Sequence, residues 1–412
     1  MTDRILIAGS GQAGFQTAAS LRQDGFEGEI LIIGEEPGLP YQRPPLSKGY
    51  IKDPNPDRLL FRNADFFEKN RIGLEDGCTV TGIDRADRTV TLSDGRTIAY
   101  GHLVLATGTR NRRLPLPGID LDNVVGLRTL ADAENLRERL AGASRLVVVG
   151  GGFIGLEVAA TARAAGLHVT VLEATARLMS RVVSPPVSEY FHAVHTASGV
   201  DVRLNSLARA ILDNGAGKAG GVETAEGERI LADLVLVSAG VIPNAEIAEA
   251  AGLYVHDGVR VDDLLATEDP AISAVGDCAS FPFGQEGLQI RLESVQNAID
   301  QAKCLSRRLV GHPERYDKLP WFWSDQGPHK LQIAGLTAGA DHHEIRGGVD
   351  DGKLSVQCFR RGELIGVETV NVPGDHMAAR RLLSQPTPLT LETVQASAFD
   401  LAALMKAGAS RG

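Results

Sequence analysis

With 412 residues the chain can bury a large core and should divide into two or three domains, and its 43% hydrophobic content is ordinary for a globular protein. A formal charge of -10 argues against general nucleic-acid or anionic-membrane binding, which need a basic face, while leaving room for a local basic patch. No apolar run approaches the ~18 residues of a membrane span, and the first strand-like run begins almost at once, so no leader is expected and the cytoplasm is the expected compartment. The 4 cysteines, Cys78, Cys278, Cys304 and Cys358, form no CxxC pair and no metal-ligand spacing. They read as reduced thiols acting as small buried apolar side chains.

In chain order, the run Ile5-Leu6-Ile7-Ala8 enters Gly9-Ser10-Gly11-Gln12-Ala13-Gly14 and then a helical segment. The first glycine permits a tight turn from strand to helix, the second lets backbone approach a pyrophosphate, and the third lets the helix pack on the strand. The open amides and positive dipole end of such a helix favour an anion by up to ~2 kcal/mol. The next apolar run ends at Glu35, placed to accept hydrogen bonds from an adenosine ribose, with Glu36 as the rival. A proline-rich arm follows, with Pro37, Pro40, Pro44 and Pro45. It should be stiff and deliver the cations Arg43 and Lys48 beside the first cradle, with a helix starting near Ser47 as its N-cap.

Short runs between residues 79 and 98 predict an antiparallel insert. A strand then reaches Ala106-Thr107-Gly108, and Pro115, Pro117 and Gly118 mark a linker. The whole arrangement recurs about 140 residues on. The run Leu146-Val147-Val148-Val149 enters Gly150-Gly151-Gly152-Phe153-Ile154-Gly155, a helix extends through Ala165, and a further strand ends at Glu173. Residues 200–230 form a second short-strand insert, with Gly215, Gly217, Gly220 and Gly221 as turns, and residues 234–237 lead to Ser238-Ala239-Gly240. One such fingerprint is weak evidence, because glycine-rich turns also occur with nothing bound. Two copies, each with its own acidic strand end, indicate duplicated dinucleotide-binding units.

The chain then returns to its first unit through a buried strand ending at Gly276-Asp277, followed by Arg291-Leu292-Glu293-Ser294-Val295 and a helix over residues 296–310. Beyond Pro320 lie Trp321 and Trp323, strands near residues 330–333, 354–359 and 364–370, and helices over residues 375–383 and 398–406, which make a third, α+β domain. Asp341-His342-His343-Glu344 looks like a metal cluster on paper, but neighbours along a strand point to opposite faces, so no metal is expected.

Two cradles suggest one dinucleotide held permanently and another exchanged in each turnover, for which FAD and a nicotinamide nucleotide are the sensible pair. The order GSGQAG, RPPLSK, ATG, GGGFIGLE, VGD and ESVQNA resembles the pyridine-nucleotide FAD reductases of the glutathione reductase fold. Within them it is most similar to the ferredoxin reductases of bacterial cytochrome monooxygenases and aromatic dioxygenases, of the putidaredoxin and palustrisredoxin reductase kind. The likeness covers nearly the whole chain and loosens in the C-terminal domain. It implies an α/β protein with two Rossmann-like domains, for FAD (residues 1–112 and 244–318) and for NAD (113–243), plus the C-terminal α+β domain (319–412).

The resemblance further implies that Gly9, Gly11, Gln12, Ala13, Gly14 and Glu35 hold the ADP half of FAD. Arg43, Lys48, Val80, Ala106, Thr107, Gly108, Arg128, Asp277, Glu293 and Val295 are further contacts; Asp277 suits the ribityl hydroxyls, and the helix after Val295 suits the flavin pyrimidine. For NAD it implies Gly150, Gly152, Phe153, Ile154, Gly155 and Gly240, with Glu173 accepting from the ribose 2′-hydroxyl and favouring NADH. Arg177 and Arg181, one and two helical turns on, keep NADPH open. In relatives the position of Glu157 lies near Lys48 at the flavin ring; a pair ~4 Å apart would attract by on the order of 4 kcal/mol at a dielectric of about 20, before desolvation, and would orient the nicotinamide. Trp323 is either a wall of the flavin edge near the ferredoxin exit or a plain core aromatic. Lys303, Arg307, Arg308 and Lys330 form the expected docking patch for a monomeric reductase.

The implied reaction passes hydride from NADH to FAD, then single electrons to a [2Fe-2S] ferredoxin. With no redox cysteine pair, and no cysteine in Leu39-Pro40-Tyr41-Gln42-Arg43, disulfide reductase and peroxidase chemistry are not expected. A direct NADH oxidase, or a redox-sensing flavoprotein like the relatives of apoptosis-inducing factor, remain as alternatives.

Overall fold

A computed structural model describes residues 3–284 and 287–409. The chain divides into two compact units: one runs through Arg43 and adds Asn55–Arg110 and Val241–Lys318, the other comprises Pro44–Pro54, Asn111–Gly240 and the chain from Leu319 on.

In the first unit, strand Arg4–Ala8 pairs in parallel with Glu29–Gly34 on one side and His102–Leu105 on the other. Ile72–Asp76 and Ile272–Ala274 extend the sheet at its two edges, both in parallel. Parallel strands covered on both faces read as continuous apolar runs, and Leu6, Ile7, Ile32, Leu103 and Val104 are wholly buried. Each contributes about 1.5–3 kcal/mol of transfer free energy, so the core fixes where the strand ends and the glycine turn begins. Helix Gln12–Gln23 packs against helix Val295–Leu309. The strands Val80–Asp84, Thr89–Leu92 and Thr97–Ala99 form the antiparallel insert.

The second unit repeats the plan. Its parallel sheet runs Asp201–Arg203, His168–Leu172, Arg145–Val149, Leu234–Val237 and Val124–Val125, the same order of first, second, third and closing strands. Ala208–Asp213, Ala219–Thr224 and Arg229–Leu231 form its antiparallel insert. Two details differ from the sequence reading. Asp201–Arg203 belongs to the parallel sheet, and Gly220 and Gly221 lie inside the middle insert strand, where a Cβ on Gly221 would come 2.5 Å from the Ile230 carbonyl oxygen.

The C-terminal region is an antiparallel sheet in the order Trp321–Gln326, His329–Gly335, Glu363–Val370, Lys353–Arg360 and His342–Gly348. Helices Pro373–Leu383, Leu391–Ala396 and Leu401–Ala409 accompany it, with Ala378, Ala379, Val394 and Leu401 packed on Phe359, Leu364 and Val367. His342 and Glu344 share one strand face and bond to each other at 2.8 Å, while His343 lies between them in sequence on the other face. Among the described residues no helix is long and apolar enough to cross a membrane.

Candidate dinucleotide sites and the Lys48–Glu157 pair

The two fingerprints are built alike. Gly9 and Gly150 have φ of +120° and +112°, and a Cβ on them would lie 2.1 Å from the Ala106 carbonyl oxygen and 2.3 Å from that of Ser238. The closing strand of each unit therefore ends directly under the turn. Gly14 and Gly155 abut the turn from the helix side, with a Cβ falling 1.9 Å and 2.5 Å from the carbonyl oxygens of Gly9 and Gly150. A Cβ on Gly11 or Gly152 would instead meet nothing within 4 Å. The middle glycines thus keep open space rather than relieve a clash, which is what close approach of a phosphate requires. Helices Gln12–Gln23 and Phe153–Ala164 begin with no side-chain cap and no acid in the first turn, so the amide ends beside Gln12, Ala13, Phe153 and Ile154 present uncompensated positive dipole.

The acids at the strand ends behave differently in the two units. Glu36 is half-buried and bonds Arg43 at 2.5 Å and the Tyr41 hydroxyl, which braces the proline-rich arm and occupies Arg43 there. Glu35 is the exposed acid, and among the described residues its carboxylate has no hydrogen bond. In the second unit Glu173 accepts from the Gly151 amide at 2.8 Å and from the Thr175 amide and hydroxyl, each at 2.8 Å, so its carboxylate is fixed beside the glycine turn. The residues after it form turns rather than the helix expected for Arg177 and Arg181. Arg177 donates to the carbonyls of Ser180 and Val183, both at 2.6 Å, while Arg181 is exposed.

Lys48 and Glu157 meet within the second unit. Pro44–Ser47 is a 3-10 turn and Gly49–Lys52 a short helix, so Ser47 is not the N-cap expected of it. Its hydroxyl donates instead to Glu157 Oε2 at 2.5 Å, beside Lys48 Nζ at 2.7 Å. Lys48 also donates to the Pro44 carbonyl at 3.1 Å. Glu157, on the buried face of helix Phe153–Ala164, is 4% exposed, and its Oε1 accepts from the Ser324 hydroxyl at 2.6 Å. At this separation the attraction to Lys48 is about 6 kcal/mol for a dielectric of ~20 before desolvation, and the added hydroxyl donors satisfy lone pairs that would otherwise be lost to water.

The remaining expected contacts fall as follows. Asp277 lies in the turn Gly276–Cys278, and Gly276 sits so close to the first fingerprint that a Cβ there would come 2.8 Å from that of Ala13. Its carboxylate accepts from the Thr109 hydroxyl at 3.4 Å. Thr107 and Asn244 pin the loop after Ala106 reciprocally, at 2.6 Å and 2.9 Å, and Gly108 and Gly240 both have positive φ. Val80 is buried at the start of its strand; Val295 opens a helix capped by Ser294; Glu293 is exposed and pairs with Arg291 at 2.9 Å. Arg128 is half-buried, and its amide donates to Asp132 at 2.9 Å. Trp323 is half-buried, 5.6 Å from Trp321 between ring centroids, and Arg380 lies over Trp321 at 4.2 Å. The expected docking patch needs correction. Arg308 turns inward to the Ser273 hydroxyl, where burial lowers its pKa, and Arg307 is paired with Glu314 at 2.7 Å. Lys303 is exposed, and Lys330 is exposed on a strand of the other unit.

Sequence reasoning missed Ser47 as a carboxylate donor, and missed Ser324 and Gln326 altogether. The available signal was two polar residues at alternate positions of an aromatic-led strand, which places both on one face.

Duplicated parallel sheets, each with a glycine cradle and an acid at the adjacent strand end, define an α/β oxidoreductase built on two dinucleotide-binding folds. The chain matches the pyridine nucleotide-disulphide oxidoreductase family over residues 3–302 and the reductase C-terminal family over residues 321–405. It is 53% identical over 400 residues to rhodocoxin reductase of Rhodococcus erythropolis, covering 96% of this chain and 93% of that protein. Among solved structures, the ferredoxin reductase for the CYP199A2 system from Rhodopseudomonas palustris superposes with a TM-score of 0.95 at 48% identity, covering 98% of this chain and 100% of that one. The covalent putidaredoxin reductase–putidaredoxin complex gives 0.94 at 38% identity and 99% coverage of each chain. The chain belongs to the pyridine nucleotide-disulphide oxidoreductase family.

Proposed function

We infer that the chain is an FAD-dependent ferredoxin–NAD reductase that supplies electrons to an oxygenase. The observation that carries this is the pair of cradles whose middle glycines, Gly11 and Gly152, face open space. Relatives named as ferredoxin reductases across nearly the whole chain support it. When bound, FAD accepts hydride from NADH and releases electrons singly, which couples a two-electron donor to a one-electron iron–sulfur carrier.

The chain's own residues bind, orient and balance charge. The amides beside Gln12 and Ala13 hold the FAD diphosphate, Glu35 its adenosine ribose and Asp277 the ribityl hydroxyls. The amides beside Phe153 and Ile154 hold the diphosphate of NADH, and Glu173 accepts from the 2′-hydroxyl that NADPH lacks. Lys48, fixed by Glu157, presents its ammonium to the reacting rings and orients the nicotinamide. The FAD-binding domain is residues 1–112 and 244–318, the NAD-binding domain 113–243, and the remainder the C-terminal domain. The acceptor is a [2Fe-2S] ferredoxin and the compartment the cytoplasm.

The test is anaerobic addition of NADH to the purified yellow protein, followed by a ferredoxin encoded beside it. Bleaching at about one equivalent and rapid ferredoxin reduction are expected. A colourless chain that takes up no flavin overturns the reading. Oxygen consumption without any carrier would favour an oxidase, and a persistent charge-transfer complex with negligible turnover a sensor.

A further inference from the structure

Behind the Lys48–Glu157 pair runs a chain of buried hydrogen bonds that points one way. The Glu157 Oε2 atom takes Lys48 and Ser47, whereas Oε1 takes the Ser324 hydroxyl at 2.6 Å. Ser324 in turn accepts from the Gln326 amide nitrogen at 3.4 Å, and the Gln326 carbonyl oxygen meets His195 Nε2 at 2.8 Å. Burial lowers the pKa of His195, leaving a neutral imidazole whose Nε2 carries the proton that an amide oxygen requires. Ser324 and Gln326 therefore each donate toward the carboxylate and accept from behind, with His195 at the head of the chain. Hydrogen bonds aligned in this way polarise one another, and the last of them ends on a buried anion. Ser324 is wholly buried and Gln326 2% exposed, so neither bonds to bulk water.

We propose that Ser324, on the first strand of the C-terminal sheet, is a positioning residue for hydride transfer: it holds the Glu157 carboxylate in the orientation that bonds Lys48, with Gln326 and His195 fixing Ser324. This rests on the reading of Lys48 and Glu157 as the pair that orients the nicotinamide. The carboxylate has a donor set on each oxygen, and the Oε1 side is supplied by this strand. Without the hydroxyl, Oε1 becomes a buried acceptor with nothing to accept from, and the carboxylate turns to satisfy it at the expense of Lys48. A role for the C-terminal sheet follows that packing alone does not supply: it sets the geometry of the reacting site.

The experiment compares the holoprotein with Ser324→Ala, Ser324→Thr and Lys48→Met. The readouts are the crystal structure, FAD content, and the limiting rate and apparent Kd for anaerobic flavin bleaching by NADH. For Ser324→Ala the Lys48–Glu157 separation should open beyond about 3.5 Å and the limiting rate fall about tenfold, the low end for losing a hydrogen bond to a charged group. FAD content and apparent Kd should hold within about twofold, and Ser324→Thr should restore both geometry and rate. An unmoved carboxylate, or a rate within about twofold of the parent while Lys48→Met is slow, overturns the proposal and spares the reading beneath it. A loss that threonine does not rescue, with FAD content falling in parallel, assigns Ser324 to packing and overturns it too. An unchanged rate in Lys48→Met overturns the reading itself, and the proposal with it.

Discussion

Glu173 is held by a backbone amide and a threonine at the end of its strand, so its negative charge sits in a fixed place beside the second glycine turn. If Glu173 is the ribose acceptor proposed above, a 2′-phosphate arriving there would be repelled by that charge, whereas a 2′-hydroxyl would donate to it. Glu173→Ala is therefore expected to lower kcat/KM for NADH about tenfold, and Glu173→Ala with Ala174→Arg to move the ratio of kcat/KM values toward NADPH by a further tenfold or so, each step being ~1.4 kcal/mol. Unchanged NADH preference in both variants would remove Glu173 from coenzyme selection. A second carboxyl in the same unit makes a prediction about stability. Glu368 is wholly buried, and burial pushes its pKa up against the donors from Ser184 and Thr337. The Thr337 hydroxyl lies 2.6 Å from Glu368 and 3.1 Å from the Val182 carbonyl but has one proton to give, an arrangement that suits a protonated carboxyl donating to Thr337. Because the folded-state value is raised, the native state holds a proton that the unfolded chain releases. The stability this contributes is present in full below the ordinary carboxyl value of 4.5 and is lost as pH rises through the raised one. Urea midpoints of the parent and Glu368→Gln at pH 5 and 8 check this: the parent should lose ground relative to the variant between the two. An equal offset at both pH values would mean that Glu368 stays ionised in the native protein.

At the scale of the strand–turn–helix element, the three glycines of each fingerprint carry different loads. Gly155→Ala drives a Cβ into the Gly150 carbonyl, whereas Gly152→Ala places one in open space. We expect Gly152→Ala to keep its melting temperature within about 2 °C and its bound FAD, since a surface-like substitution shifts stability by roughly 0.5 kcal/mol or less, yet to raise KM for NADH at least tenfold. Gly155→Ala should lose ~2–3 kcal/mol of stability, read as a fall in urea midpoint. If both variants destabilise equally, Gly152 is a packing glycine and the cradle reading of the second unit fails. This division of labour was legible in the sequence because it is local: spacing alone placed the glycines along the strand–turn–helix junction, and two copies with the same order of elements along the chain made the duplication visible. What is built from distant residues was not. Lys48 and Glu157 are separated by 109 positions, and only a resemblance brought them together. Ser47 reads as a cap in sequence because a hydroxyl before a helical run looks the same whether it serves its own helix or a carboxylate on another. Sequence reasoning reads the strand His342–Gly348 only at its start, through Glu344, because the rest is a largely exposed edge with no apolar alternation. Arg177 and Arg181 were misplaced for a related reason, since helical spacing was assumed where the chain makes turns held by the arginine itself.

Across the whole molecule the disposition of sulfur decides how electrons leave. The family takes its name from disulphide chemistry, yet the cysteines here are free, buried and scattered over both units. Cys278 and Cys358 are wholly buried, with thiols pushed up by desolvation, and Cys304 is pushed up to about 11 by the same cause. The thiolate is the nucleophile and the redox partner, so three groups kept protonated at neutral pH, and a Cys78 that is 6% exposed, offer no two-electron exit. Electrons that enter as hydride then leave by a route other than a dithiol, which is what a reductase serving an external carrier requires. The expected outcome is that a chromogenic disulfide reagent at pH 8 titrates less than about one thiol in the native protein and all 4 after denaturation. Prolonged treatment of the NADH-reduced enzyme with iodoacetamide should leave NADH-driven ferredoxin reduction within about 20% of its starting rate. A thiol that reacts fast in the native protein, with activity lost in step, would place a cysteine in the electron path and return the chain to the disulfide reductases.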